Sequence, residues 1–207
     1  MIQAFNSRYL TPTKYLRNLS VMMCIHNDST VSQNDIAGQT ALSSSMVNNY
    51  IKKLKQEKLI IISGKTNRTQ TYHLTLSGIK YLRQNLLEYS ANVVQVYSEV
   101  KREITKIINN FCKEGVKTAV LFGVAETAEI VFAAIQNTTL KVVDVVDSDV
   151  AKQGKRFNSH IIKSPEHLKM IRPDAVIITS FGKQEEIYRN LRGIIGDGIK
   201  IIKLSDA

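Results

Sequence analysis

From Ile79 to Glu114 the chain carries neither glycine nor proline, and its apolar residues recur at a regular spacing. Leu82, Leu86, Tyr89, Val93, Val96, Val100, Ile104, Ile107 and Phe111 follow one another at steps of 4, 3, 4, 3, 4, 4, 3 and 4 residues. Steps of three and four keep side chains on one helix face, so the spacing predicts a long helix with a heptad-like seam and one slip after Val100. The β-branched run from Val93 to Val100 opposes helix mildly, and the pattern leaves room for a break near Ser90-Ala91-Asn92. Such a helix, over residues 78–115, divides the chain into a segment before it, 1–77, and one after it, 116–207. The seam must be buried somewhere. It packs either on the same helix of a second copy, which makes a homodimer, or on the domains of its own chain as a linker.

The charge is unevenly placed across those parts. Of the formal net charge of +10, residues 1–90 carry +7, residues 91–115 carry +1 and residues 116–207 carry +2. A positive field concentrated in the first segment points to a polyanion, chiefly double-stranded DNA, because neutralising phosphates releases counterions. A generally basic, soluble surface is the bland alternative, and charge alone does not separate the two.

Order along the first segment does separate them. Tyr15, Leu19, Met22, Met23 and His26 give an amphipathic first helix that Asn27-Asp28-Ser29 ends. Ser32 with Asp35 three residues on is a capping-box signal for a short helix that faces Ile36 and Ala37 inward. After a turn at Leu42-Ser43, Ser43 or Ser44 caps a third helix whose apolar face is Val47, Tyr50, Ile51 and Leu54. Its other face is small, polar and basic: Ser44, Ser45, Asn48, Asn49, Lys52 and Lys53. Leu59 to Leu76 then reads as two strands around the basic loop Gly64-Lys65-Thr66-Asn67-Arg68.

This succession is a winged helix-turn-helix. Asp35-Ile36-Ala37, Leu42 to Val47, Leu54 to Ile60 and Tyr72 to Gly78 resemble the winged-helix domains of MarR-type bacterial and archaeal regulators, over roughly residues 11–90. A helix fits the major groove and its first turns reach base edges, so Ser43, Ser44, Ser45, Asn48 and Asn49 are the candidates for reading sequence. Lys52 and Lys53 are placed for phosphates, and Lys65, Asn67 and Arg68 for the backbone or minor groove. A twofold regulator on a twofold site doubles its contacts, which favours the homodimer for the long helix. His73, between Tyr72 and Leu74, reads as an outward or packed strand residue and not as a ligand.

From Val116 the pattern changes. Strands are predicted at Thr118–Phe122, Leu140–Val146, Ala175–Thr179 and Ile199–Leu204, with a further strand near His160–Lys163. Helices are predicted at Ala125–Gln136, Ser164–Ile171 and Gln184–Arg192, and alternation of this kind implies an α/β domain with a small parallel sheet. The stretch Ala119 to Ile135 reads as strand, glycine turn and helix, the way a dinucleotide site begins. Gly123 supplies the tight turn, but Ala125 and Ala128 stand where the second and third glycines would be, and the Ala125 methyl takes space a pyrophosphate would use. Glu126 adds a carboxylate at the helix start. Asp147, at the end of the second strand, is placed for ribose hydroxyls, while Asp149 is more exposed and Asp144 lies within the strand.

Gly123 to Ala128, Val145 to Asp149, Gly154-Lys155-Arg156-Phe157 and Pro173 to Ser180 resemble, over roughly 117–205, the N-terminal Rossmann-like domain of polysaccharide-biosynthesis proteins, including nucleotide-sugar dehydratases and sugar acyltransferases. In that family a glutamate in the glycine loop is usual. The resemblance implies a nucleotide or nucleotide sugar at the carboxyl ends of the strands, among Gly123, Val124, Ala125, Glu126, Asp147, Thr179, Ser180 and Phe181. Redox-sensing repressors that join a winged helix to an NADH-binding domain show a similar design, but their glycine pattern is not reproduced at Ala125.

Several classes are set aside. No run of about 18 apolar residues spans a membrane, and the first ten residues lack a secretory leader, so a cytoplasmic protein is expected. Cys24 and Cys112 stand far apart and read as buried small residues; His26, His73, His160 and His167 have no metal-ligand spacing. No Walker loop, nucleophile elbow or Tyr-x-x-x-Lys core follows, so no enzyme is expected and any nucleotide is an effector, not a catalytic cofactor. The expectation is a DNA-binding regulator with a small-molecule sensing domain. The alternatives are a regulator or scaffold whose second domain only dimerises or docks a partner, and a small nucleotide-sugar enzyme component.

Overall fold

A computed structural model of the chain describes residues 10–64, 69–195 and 198–206. It forms two compact units whose boundary falls between Val94 and Gln95. The first begins with three helices, α1 (Lys14–Asn27), α2 (Gln33–Thr40) and α3 (Ser44–Gln56), each opened by a side-chain cap. Thr13 accepts from the Leu16 N–H and Ser43 from the Met46 N–H. Ser32 and Asp35 exchange the two bonds of a capping box, at 3.1 and 3.4 Å. Between α2 and α3 the chain turns at Ala41, a non-glycine residue in the left-handed region at φ 53, and Leu42 N–H closes onto the Ala37 carbonyl at 3.1 Å.

The core of this unit joins Leu19, Met22 and Ile25 of α1 to Ile36, Val47, Ile51, Leu54, Tyr72 and Leu82. The face predicted for α1 is turned by about one ridge: Tyr15 and His26 are exposed, and Asn18, Val21 and Ile25 are buried in their place. Val21, Cys24 and Ile25 widen the apolar arc, and packing against α2 and the hairpin selects its centre. The hairpin pairs β1 (Ile60–Ser63) with β2 (Thr71–Leu74), antiparallel, with Ile60 opposite Leu74. Gly64 leaves β1 at φ +98, where a Cβ would collide with the Thr69 carbonyl. His73 is exposed. Lys65, Asn67 and Arg68, predicted to contact the duplex backbone, lie outside the described residues.

The glycine- and proline-free segment lies in a single helix, α4 (Leu76–Lys113), without the break allowed at Ser90. Ser90 Oγ instead donates to the Leu86 carbonyl at 2.8 Å, a back-bond that a helix tolerates. Gly78 stands where a Cβ would strike the Leu59 carbonyl, so the missing side chain lets α4 pass close to the start of β1. The apolar seam is divided in use. Leu82 joins the first core, and Ile104 and Ile108 join the second, each such burial contributing about 1.5–3 kcal/mol. Between them, Val93 to Val100 are exposed on every face of the helix.

The second unit is a three-layer α/β arrangement. Its strands are β3 (Thr118–Phe122), β4 (Lys141–Val146), β5 (Arg156–Phe157), β6 (His160–Lys163), β7 (Ala175–Ile178) and β8 (Lys200–Lys203). They lie in the order β5-β6-β4-β3-β7-β8, parallel except for the antiparallel pair β5–β6. The sheet is therefore mixed, where a purely parallel one was predicted. The physical reason is Asn158, which takes φ 50 and folds β5 back onto β6 in a tight hairpin. Helix α5 (Glu126–Ile135) and the C-terminal half of α4 cover one face; α6 (Gln184–Arg192) and Leu168 cover the other. The helix predicted over Ser164–Ile171 is a 3-10 turn, Pro165–Lys169. Asp174 ties β7 to β3: its carboxylate accepts from the N–H groups of Lys117 and Thr118, which hold its pKa below the usual carboxylate value.

Candidate functional site

Two places in the chain present groups suited to binding. The first is the outer face of α3. Val47, Ile51 and Leu54 turn inward, and the helical period then carries Ser45, Asn49, Lys52 and Gln56 outward along one ridge. Asn48 flanks that ridge, half-buried, and Lys53 flanks it on the other side, 3.7 Å from Glu57. Two of the predicted serines have structural roles. Ser43 is the N-cap, and Ser44 donates to Asn34 of α2 at 3.3 Å, tying the two helices of the turn together. Gln56 was missed from sequence, although its place one turn beyond Lys52 and two beyond Asn49 follows from the same period.

The hairpin is held to this platform by Tyr72. Its side chain is buried, its hydroxyl accepts from Gln33 of α2 at 3.2 Å and donates to Gln70 at 3.0 Å, and its N–H donates to the Ser29 carbonyl. The hairpin is thus tied to α2 and to the loop that precedes it.

The second place is the turn after β3. Strand order reverses there, with β4 on one side of β3 and β7 on the other, and open α/β sheets hold ligands at such a point. Gly123 (φ +98) makes the turn, and a Cβ on it would collide with Ser180 Oγ. Thr179, fully buried, donates to the Phe122 carbonyl at 2.9 Å and reaches the Gly123 carbonyl as well. Thr127 of α5 donates to the Thr179 carbonyl at 2.6 Å. Gly123, Val124, Asp147, Thr179 and Ser180 therefore gather in one place, with Ala125 as the uncapped N-cap of α5 and Glu126 exposed in its first turn.

The polar groups at this turn are already engaged. Asp147 is 6% exposed; one carboxylate oxygen accepts from the Val124 N–H at 2.6 Å, the other from the Asp149 N–H at 2.8 Å. Lys152 closes the ring, donating to the Val124 carbonyl at 2.7 Å and lying 3.3 Å from the Asp147 carboxylate. Gln153 adds a bond to the Asp147 carbonyl. Lys152 and Gln153 were not identified from sequence, since loop residues show no period and their partners are backbone atoms. Earlier on β4, Asp144 is buried, ion-paired with Lys163 at 2.6 Å and 3.1 Å from the His167 ring.

Comparison with known proteins divides along the same line. Residues 19–61 match a family profile described as winged helix-turn-helix DNA-binding, and residues 115–202 match one described as C2185-like, N-terminal. Among solved structures, BpsR of Bordetella bronchiseptica, described by the regulation of its DNA binding by 6-hydroxynicotinic acid, is 21% identical with a TM-score of 0.34; the match covers 39% of this chain and 58% of BpsR. A MepR variant of Staphylococcus aureus bound to an oligodeoxyribonucleotide is 21% identical over 46% of this chain and 78% of its own, with a TM-score of 0.35. ZitR of Lactococcus lactis is 20% identical over 55% and 81%, with a TM-score of 0.36. No curated protein matches the chain. Among the described residues no helix is long and apolar enough to cross a membrane.

Proposed function

We propose that the chain is a dimeric, DNA-binding transcriptional regulator of the MarR type, whose second unit is a Rossmann-like sensor for a nucleotide-type metabolite such as a nucleotide sugar. The observation that carries the first part is the ridge Ser45–Asn49–Lys52–Gln56, exposed on the helix that follows a short capped α2, in the segment that holds most of the positive charge. An asparagine on such a ridge bonds N6 and N7 of adenine, and the lysines meet phosphates. The wing residues Lys65, Asn67 and Arg68 belong to the same interface in this reading. Selection of bound fragments from random duplex DNA, followed by titration across salt concentrations, tests it. Lys52→Ala is expected to weaken binding alike on all sequences and to lower the salt slope by about 0.9. Asn49→Ala is expected to relax preference at one base pair by about 1–3 kcal/mol. No preferred sequence at all would sink the regulator reading.

The sensor part rests on the reversal of strand order at Gly123 and on the contacts made there by Val124, Asp147, Thr179 and Ser180, with Ala125 and Glu126 opening α5 beside them. A ligand there switches DNA binding only if it prefers one of two states of the protein. The ring of bonds from Asp147 and Lys152 to Val124 favours a second reading, in which the second unit only dimerises or docks a partner. Thermal-shift measurements with NAD(H), CoA, UDP-sugars and GDP-sugars separate the two. A shift with one class supports the sensor, and no shift with any, while DNA binding persists, supports the scaffold.

A further inference from the structure

Within the second unit, the C-terminal half of α4 and the loops at Phe181 and Leu204 enclose an open groove of about 450 Å³. Its floor is apolar: Val100, Ile104, Ile107, Phe181 and Leu204. Glu99 and Glu103 stand at its rim, but each is paired one turn along the same helix, Glu99 with Arg102 and Glu103 with Lys106. The groove therefore offers apolar surface with no net charge, which suits neither DNA nor an ionic peptide.

One exposed segment of the molecule has the matching chemistry. Residues 89–98 of α4, Tyr-Ser-Ala-Asn-Val-Val-Gln-Val-Tyr-Ser, contain no charged residue in a chain whose net charge is +10. Val93 is 47% exposed, Val96 60%, Tyr97 42%, Val100 39% and Phe181 37%. We propose that the groove is filled by this segment of a second copy, so that the dimer seam runs off α4 and onto Phe181 of the second unit. The inference rests on the dimeric reading above and specifies the surface that reading lacks.

A twofold axis makes the two contacts one, since the segment of each copy fills the groove of the other. An antiparallel pairing centred between Val96 and Tyr97 puts Val93 of each copy opposite Val100 of the other, and leads the segment toward Ile104 on the groove floor. Val93, Val96, Tyr97 and Val100 share one face of the helix, and with Phe181 they are the exposed apolar side chains that this pairing covers on each copy. Phe181 directly follows Thr179 and Ser180, which pack on the Gly123 turn, so the groove wall and the candidate ligand turn share one short loop.

Sedimentation velocity of the full chain over a concentration series tests the proposal, with Phe181→Glu, Val96→Glu and Met170→Glu compared to the unaltered protein. Met170 is exposed on the same unit away from the groove and serves as the control. Phe181→Glu and Val96→Glu are each expected to raise the dimer dissociation constant about tenfold or more, with Met170→Glu unchanged. Circular dichroism checks folding, and Phe181→Ser replaces Phe181→Glu if the latter does not fold. If Val96→Glu dissociates the dimer while the Phe181 variants keep the unaltered constant, the groove is not the docking site and the dimeric reading stands. If the unaltered chain is monomeric throughout, both fall.

Discussion

The outer face of α3 and the turn at Gly123 are both built from polar side chains beside a helix, yet most of those side chains dispose of their hydrogen-bonding capacity in opposite ways. On α3, Ser45, Asn49, Lys52 and Gln56 turn outward, and the inward face is wholly apolar. At the Gly123 turn, Asp147, Thr179 and Lys152 spend their capacity on the backbone of Gly123, Val124 and their neighbours. The lesson is about where binding starts. Ser45 alone on the ridge shares a bond, with Ser43 at 3.0 Å, so a partner of Asn49, Lys52 and Gln56 displaces water, whereas a ligand of the turn must compete with bonds the protein already makes to itself.

Stability measurements break or sharpen that contrast. The largest effect is expected at Gly123: valine there faces both the left-handed backbone and Ser180, and should destabilise the second unit by about 3 kcal/mol or more. Hydrogen exchange in β3 and β7 reads it, and near-native protection would mean the turn is slack. Next, Asp147→Ala strands the Val124 N–H and should lower stability by about 2 kcal/mol in thermal melts. An unchanged melt would place the Asp147 bonds among those easily given up, and bring the turn closer to α3 in character. In the first unit, Ala41→Gly relieves the left-handed residue between α2 and α3 and should stabilise by about 1 kcal/mol, read by urea unfolding. Smallest of all, Asn49→Ala should move stability by no more than about 0.5 kcal/mol while altering DNA recognition. A larger loss there would show that the ridge contributes to folding and is not held in reserve for a partner.

The sequence was most legible where a period or a cap carries the information. The three helices, the capping box at Ser32 and Asp35, the hairpin and the long α4 all follow from spacing and from local side-chain to backbone bonds. The phase of α1 did not, because its apolar arc is broad enough to admit two centres and only packing against Ile36 and Tyr72 decides between them. The β5–β6 hairpin escaped because its signal is a single residue, Asn158, in two very short strands. At the turn, Gly123 and Asp147 could be picked out as candidates, but the ring through Lys152 could not, since its acceptors are main-chain oxygens that no side-chain pattern encodes. The seam of α4 was visible as a whole. Which thirds of it are buried within the chain depends on two cores that lie far apart in sequence.

The bond from the Val124 N–H to Asp147 also sets a concentration scale. If releasing Asp147 costs about 2 kcal/mol, the open turn is populated only to about 3%, and a ligand that needs this N–H binds about 30-fold more weakly than its contacts alone would allow. Under the sensor reading proposed above, the concentration needed to half-fill the site rises by the same factor. In that reading the internal bond is a threshold, adjustable through Lys152, which is not among the groups proposed to recognise the ligand.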